Sequence, residues 1–219
     1  MTTKDYVGIA MEGPVATWYT KAMQKDMDDY RRDAQAIAAR VPSGSTVLEV
    51  APGPGYLSIE LARLGQYTIT GLEISKTFVE IAQQKAREAG VSIDFRQGSV
   101  QRMPFTANTF DGLYCRAAFK NFSDPLLALN EMHRVLKPGG QAVIIDLRAD
   151  ASNADINHFV DNLGLSWLST LTTKWTFKFM LLKRAYTPAS LEKLAAQSNF
   201  KRCEVQLNNI GMNVWLKKS

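Results

Sequence analysis

The sequence predicts a doubly wound α/β fold, in which helices cover a mostly parallel sheet of seven strands. Short β-branched runs alternate with amphipathic helical segments between residues 45 and 148, as in successive βαβ units. A glycine-rich turn, Ala51-Pro52-Gly53-Pro54-Gly55, follows the first of these runs. Two alternating runs near the C-terminus flank Asn208-Asn209 and predict a closing antiparallel hairpin.

Composition limits the class of protein. The 219 residues, 46% hydrophobic and 21% charged, fit one domain with a substantial core. Two cysteines and two histidines are too few for a disulfide scaffold or a multi-histidine metal site, so we expect no metal. The first residues lack an apolar signal region, and no segment approaches the roughly 18 apolar residues of a membrane span. We therefore expect a cytoplasmic protein without membrane contact.

The net charge of +5 could indicate a nucleic acid or an anionic substrate. The basic residues are scattered in pairs such as Arg31-Arg32 and Lys201-Arg202, with acids between them. A solvated surface is the simpler interpretation, and we do not expect a nucleic-acid partner.

The periodicities place the elements in order. Apolar residues at helical spacing over 14–41, with a polar break at 26–29, predict a helical lead-in. A strand over 46–50 and a helix over 56–64 flank the turn. The pattern then predicts a strand over 67–72, a helix capped by Ser75 and ended by Gly90, and a third strand over 91–95.

The second half continues the alternation and then departs from it. A strand over 110–115, a helix beginning at Pro125 and a strand over 140–147 complete the core of residues 45–148. Residues 151–186 are predicted to be a helical insertion, or lid, rich in aromatic residues: Phe159, Trp167, Trp175, Phe177 and Phe179. Residues 187–219 are predicted to form the closing helix and hairpin.

The turn is typical of a ligand site. Gly53 and Gly55 permit close approach of a ligand to the main chain, beside a helix N-terminus. Glu73, at the end of the second strand, could bind both hydroxyls of a ribose. The alternatives are a tight turn without ligand and a solvated strand-end acid. A nicotinamide dinucleotide and S-adenosylmethionine both fit this arrangement.

Charge favours one of the two ligands. A carboxylate at Glu49, just ahead of the turn, opposes a pyrophosphate but suits the ammonium and sulfonium of S-adenosylmethionine. Ser58 also stands where a dinucleotide turn prefers Gly or Ala. The alternative for Glu49 is a strand-end carboxylate bonded by backbone N–H groups of the turn.

Taken together, residues 45–148 resemble the class I S-adenosylmethionine-dependent methyltransferases, which have a Rossmann-like fold. Val47 to Gly55 is similar to the family's first motif and Glu73 to its acid after strand two. Residues 98–105 resemble the adenine loop, and 122–140 the helix that leads into strand five. Ala51 replaces the usual first glycine of the motif, and Ser99 replaces the usual acid for the adenine amino group, a contact that Gln101 could make instead.

The resemblance implies S-adenosylmethionine as cofactor, with S-adenosylhomocysteine as product. The cofactor-binding residues that follow from the motifs and the resemblance are Tyr19, Glu49, Ala51, Gly53, Gly55, Glu73, Ile74, Ser99, Val100, Arg116 and Ala117. In this scheme Tyr19 covers the methionine end of the cofactor, although core packing would explain this residue equally well. The backbone at Arg116 and Ala117 lies beneath the cofactor. We expect Gly55→Val to abolish adenosylhomocysteine binding and leave the fold intact.

The implied reaction is in-line transfer of a methyl group to a small-molecule acceptor, in which positioning dominates and a general base is optional. His158 is the weak candidate for such a base, and His133 is expected in the scaffold. Asp146 and Arg148 are expected in strand-end ion pairs, and Cys115 as a small buried residue.

The insertion could roof an apolar acceptor pocket, with plain core or a homodimer face as alternatives. Three alternatives to this function remain open: an RNA or protein methyltransferase, a non-catalytic S-adenosylmethionine-binding module and a nicotinamide dehydrogenase. The acceptor and the oligomeric state do not follow from the sequence.

Overall fold

The computed structural model describes residues 5–8, 11–161 and 182–219. The helices of these residues are α1 (Gly13–Met23), α2 (Met27–Ala38), α3 (Tyr56–Leu64), α4 (Lys76–Glu88), α5 (Pro125–Val135), α6 (Asn153–Asp161) and α7 (Pro188–Gln197). The strands are β1 (Thr46–Val50), β2 (Thr68–Glu73), β3 (Asp94–Gln97), β4 (Phe110–Arg116), β5 (Leu136–Leu147), β6 (Cys203–Asn208) and β7 (Gly211–Lys217). None of the helices described here is long and apolar enough to cross a bilayer.

The strands form one sheet in the order β3-β2-β1-β4-β5-β7-β6. The first five strands run parallel, and β7 pairs antiparallel with both β5 and β6. The sequence-based fold class is therefore confirmed. The strand order reverses between β1 and β4, and the carboxyl ends of strands at such a reversal are where α/β sheets bind ligands.

Helices cover both faces of the sheet. One face of the central strands packs against α2 and α3 through a cluster that includes Val47, Leu57 and Tyr114. The other face packs against α5 and α7, with Leu48, Leu113 and Leu129 among the buried residues. Burial on both sides explains why these strands read as continuous apolar runs.

Several predicted boundaries are confirmed by their caps. The side chain of Ser75 accepts a hydrogen bond from Phe78 N at the start of α4, and Asp124 accepts one from Leu127 N at the start of α5. The helical lead-in over 14–41 is two helices, because residues Gln24–Asp26 form a 3₁₀ turn at the polar break. The C-terminal hairpin turns at Asn209, whose φ is +38°.

The bounds of two strands differ from the prediction by more than one residue. The third strand is Asp94–Gln97, not 91–95, because Val91 N donates to Ala86 O and closes the end of α4. The fifth strand begins at Leu136 rather than residue 140, since Leu136 already pairs with Phe110 ahead of a register shift in β4. The carboxyl end of β3 therefore lies two residues later than predicted, whereas β5 ends at Leu147 as predicted.

The predicted insertion is described only in part. Its first helix, α6, buries Ile156 and Val160 against Leu182 and Ile210. Trp167, Trp175, Phe177 and Phe179 lie outside the described residues. The roofing role of this segment therefore stays a prediction.

Candidate cofactor site

The turn between β1 and α3 reverses the chain through three left-handed residues. Ala51, Gly53 and Gly55 have φ values of +56°, +54° and +79°. The N–H of Ala51 donates to Leu72 O at 2.8 Å, and the N–H of Gly55 donates to Pro52 O at 3.0 Å. Ala51 thus keeps the left-handed conformation that the family's glycine would adopt freely, at a cost of about 1–2 kcal/mol for a residue with a Cβ.

The two glycines of the turn face different surroundings. A Cβ built on Gly53 meets no heavy atom within 4 Å, so Gly53 borders open space. A Cβ built on Gly55 lies 2.8 Å from Phe95 Cζ and 3.1 Å from Ala82 Cβ, both inside the protein. The expectation that Gly55→Val spares the fold is therefore wrong, because its side chain would enter the core and not the ligand space. Gly53 leaves room for a ligand beside the turn.

Glu73 ends β2 beside this turn. Its Oε2 accepts the N–H of Gly53 and its Oε1 accepts the N–H of Ser75, both at 3.0 Å. The residue is only 5% exposed, and burial raises the pKa of its carboxyl group. Each carboxylate oxygen retains a lone pair beyond these bonds. Glu73 therefore braces the turn and still has acceptor capacity for a hydroxyl pair.

Glu49 occupies the other side of the turn. It pairs in register with Tyr114 of β4, so both side chains face the helix layer of α3. Its Oε2 accepts the Ser58 hydroxyl and, at 3.1 Å, the Ser58 N–H. Burial raises the pKa of Glu49 to about 7, against the lowering effect of these bonds. The partner of this carboxylate is thus the first turn of α3, and not the N–H groups of the glycine turn.

The predicted adenine side lies along the ends of β2 and β3. Ile74 is half-buried, and its carbonyl accepts from Gln97 Nε2 at 3.1 Å. Ser99 is also half-buried and Val100 is 7% exposed. The Gln101 amide, the suggested substitute for the missing acid, donates to Ser123 Oγ at 2.7 Å. This residue is therefore already engaged by the loop after β4.

The residues predicted to lie beneath the cofactor are at the end of β4. Arg116 Nε donates to Asp33 Oδ2 at 2.6 Å, and its guanidinium lies 4.2 Å from the centroid of the Tyr30 ring. Ala117 has a φ of +58° and donates its N–H to Ile145 O at 2.7 Å. Arg116 thus ties β4 to α2, and the backbone at Ala117 is exposed at the carboxyl edge.

Two tyrosines cover this edge from the N-terminal side. Tyr19 of α1 packs edge-to-face on Phe78, with ring centroids 5.8 Å apart. Burial raises the pKa of the Tyr6 hydroxyl, and the nearby Tyr19 and Glu73 raise it further. Sequence reasoning missed Tyr6, because it belongs to no periodic run. Its segment is held by the bond from Val7 N to Asn121 O at 2.9 Å.

A buried ion pair marks the end of β5. Lys120 Nζ lies 2.6 Å from Asp146 Oδ1, with side-chain exposures of 9% and 5%, and also donates to Ala117 O. Sequence reasoning missed Lys120, although it expected an ion pair at Asp146. Arg148 pairs with Asp155 at 3.0 Å, as expected.

The remaining candidates lie apart from the turn. His158 is on the exposed side of α6. His133 packs edge-to-face on Phe200 at 5.0 Å, in the scaffold as predicted. Cys115 is fully buried, and burial raises the pKa of its thiol. Among the residues with described positions, no cluster of His, Cys, Asp or Glu could hold a metal.

The comparisons with known proteins agree with this geometry. Residues 48–144 match the family model described as a methyltransferase domain. The demethylmenaquinone methyltransferase of Deinococcus radiodurans is 38% identical over 122 residues, which are 55% of this chain and 51% of that protein. A ubiquinone/menaquinone biosynthesis C-methyltransferase of Bdellovibrio bacteriovorus is 34% identical over 48% of this chain and 45% of its own length. The chain thus spans about half the length of the curated relatives that it matches.

A solved structure extends the likeness to the whole fold. A Methanococcus maripaludis protein, provisionally described as an S-adenosylmethionine-dependent methyltransferase, superposes with a TM-score of 0.72 at 22% identity. The match covers 94% of this chain and 92% of that one. At this identity the likeness supports the fold alone. Residues 48–144, which run from β1 to β5 and include the turn, therefore match a methyltransferase domain, and the fold of the chain is the one that the solved structure has.

Proposed function

We propose that this protein transfers a methyl group from S-adenosylmethionine to a small, partly apolar acceptor. The observation that carries the proposal is the turn at residues 51–55, which offers open space beside Gly53 between two buried carboxylates. The chemistry that the cofactor supplies when bound is an electrophilic methyl group on a cationic sulfur. Glu49 would hold its ammonium group, Glu73 its ribose hydroxyls, and residues 74 and 99–100 would flank its adenine.

For the acceptor, we propose a reduced quinone or a related phenol. The support comes from two relatives that are named for methylation in menaquinone or ubiquinone biosynthesis. Tyr186, a half-buried aromatic residue that bridges to Arg148 after β5, agrees with this chemistry, and its ring packs on the buried ring of Phe119 with centroids 5.6 Å apart. A flat aromatic acceptor would pack against such rings.

The contribution of the protein to the reaction would be mainly positional. Holding an acceptor in near-attack geometry can supply about 7–11 kcal/mol of the barrier. Lys120 has two of its three ammonium protons engaged, by Asp146 and Ala117. The third proton could stabilise an acceptor oxygen as it gains negative charge. The tyrosines at 6 and 19 would exclude water from the reacting edge.

The test is methyl transfer from cofactor labelled in its methyl group. We expect label in a short-chain demethylmenaquinol and none in bulk RNA or protein. Glu88→Ala, at the exposed end of α4, is the control variant and should transfer normally. Label in RNA or protein would favour the macromolecular alternative. Binding of adenosylhomocysteine without transfer to any acceptor would favour a non-catalytic module, and affinity for NAD in its place would indicate a dehydrogenase.

A further inference from the structure

Three buried polar side chains form a hydrogen-bond chain behind the glycine turn. Tyr114 Oη lies 3.0 Å from Ser58 Oγ, and the hydroxyl and N–H of Ser58 both meet Glu49 Oε2. Ser58 and Tyr114 are fully buried, and Glu49 is 2% exposed. Water therefore cannot take over the hydrogen bonds of any of these three side chains. In the described part of the protein, no donor reaches the other oxygen of Glu49, Oε1.

Donor and acceptor capacities fix the direction of the protons. A carboxylate only accepts, while each hydroxyl donates one proton. With Glu49 ionised, Ser58 donates to Oε2 and Tyr114 donates to Ser58 Oγ. Bonds to a charged acceptor are the stronger kind, and successive donors polarise one another. The chain therefore favours the carboxylate, while burial favours the neutral acid.

We propose that Ser58 and Tyr114 are positioning residues that hold Glu49 with Oε2 against α3 and Oε1 open to the ligand, so that binding of an ammonium group at the turn releases a proton from Glu49. The inference rests on the proposed function, since the ammonium is that of the cofactor's amino-acid end. The carboxylic acid of Glu49 loses its proton to solvent, and the ligand keeps its own. No other bond forms or breaks.

The surroundings of Glu49 allow this exchange near neutral pH. Burial raises the pKa of Glu49 to about 7. Of the neighbouring charges, Arg116 lowers this pKa and Glu73 raises it. The other titratable groups that interact electrostatically with Glu49 are Tyr30 of α2, Tyr114 of β4 and, from the opposite face of the sheet, Cys115. Because the pKa of each of these three is raised by burial, they stay neutral where Glu49 titrates.

The test measures proton release as well as affinity. The full chain is titrated calorimetrically with adenosylhomocysteine in buffers of different ionisation enthalpy, from about pH 5.5 to about pH 8. We expect release of up to one proton per ligand around pH 6 to 7, and affinity that falls as pH drops below 7, by at most about tenfold per pH unit. Methylthioadenosine, which lacks the amino-acid end, should bind without this proton release.

Variants assign the effect to the chain of three residues. Ser58→Ala should raise the midpoint of the pH dependence by about one to two pH units, because the carboxylate loses a donor. Tyr114→Phe should shift it in the same direction by less, and it serves if Ser58→Ala does not fold. Glu49→Gln should abolish both the proton release and the pH dependence. The matched controls are Ser198→Ala, a fully buried serine at the C-terminal cap of α7, and Tyr67→Phe, whose hydroxyl donates to Val41 O.

The outcomes separate the two claims. A wild-type chain that binds adenosylhomocysteine with no proton release overturns the inference and leaves the proposed function standing. Equal release with methylthioadenosine, or release that persists in Glu49→Gln, also overturns it, since another group such as Glu73 would then be the source. A chain that binds no adenosylhomocysteine at any pH overturns the proposed function, and the inference with it.

Discussion

Alanine substitutions at the two glycines of the turn test which glycine borders the ligand site and which one packs against the core. Gly53→Ala places its Cβ where no heavy atom lies within 4 Å, so only the left-handed backbone, with φ of +54°, opposes it. That conformation costs about 1–2 kcal/mol for alanine. Gly55→Ala carries the same backbone cost and brings its Cβ to 2.8 Å from Phe95 Cζ. Overpacking adds about 1–3 kcal/mol, so the total is about 2–5 kcal/mol.

Urea unfolding and calorimetry distinguish the two variants. We expect Gly53→Ala to keep most of its free energy of unfolding and to lose affinity for adenosylhomocysteine, because its methyl group enters the ligand space. Gly55→Ala should lose more stability than Gly53→Ala. Equal losses of stability in both variants, or full affinity in Gly53→Ala, would refute the assignment of the open side of the turn.

Two further predictions concern the buried carboxylates. Glu73→Ala should weaken adenosylhomocysteine binding by about 1–3 kcal/mol, through lost charge-assisted bonds to the ribose and a loosened turn. Calorimetry against the control Glu88→Ala checks this, and undiminished affinity would show that Glu73 does not meet the ligand. Folding raises the pKa of Glu49 from 4.5 to about 7, so the folded protein holds this proton more tightly than the unfolded chain does. The proton's contribution to the free energy of unfolding is therefore complete below the unfolded-state pKa and is lost as pH rises through 7. The free energy of unfolding of Glu49→Gln, relative to that of the wild type, should therefore rise by up to about 3 kcal/mol between pH 5 and pH 8. Urea unfolding at both pH values measures this difference, and the same difference at pH 5 and pH 8 would contradict the prediction.

Local patterns in the sequence were sufficient for the fold. Residues 56–64 were predicted as a helix and form α3 with the same bounds, since an apolar face and a flanking glycine specify it without help from other elements. The cap at Ser75 was predictable for the same reason. The third strand was misplaced because its start depends on pairing with Thr70 and on the capped end of α4, and both involve residues distant in sequence or a specific backbone geometry.

The candidate site was predictable only where a motif carries it. The turn and the acids at 49 and 73 stand at recognisable spacings, whereas Tyr6 and Lys120 come to the edge through tertiary contacts alone. The direction in which Gly55 faces could not be read from the motif, because it depends on the position of Phe95 in a neighbouring strand. The hydrogen-bond partner of a buried polar group, such as Ser58 for Glu49, also could not be predicted, because it depends on how α3 packs against β1.

Three features that cost stability lie close together at the carboxyl edge of the sheet. Ala51 in the turn adopts a left-handed backbone, and Glu49 and Glu73 at the ends of β1 and β2 are buried with raised pKa values. A cationic ligand would relieve the electrostatic part of this cost, because its charge favours the ionised form of each carboxylate. A nucleotide pyrophosphate would add to it. The same arrangement that lowers the stability of the free protein therefore discriminates between ligands by charge, and adenosylhomocysteine should raise the unfolding temperature where NAD does not.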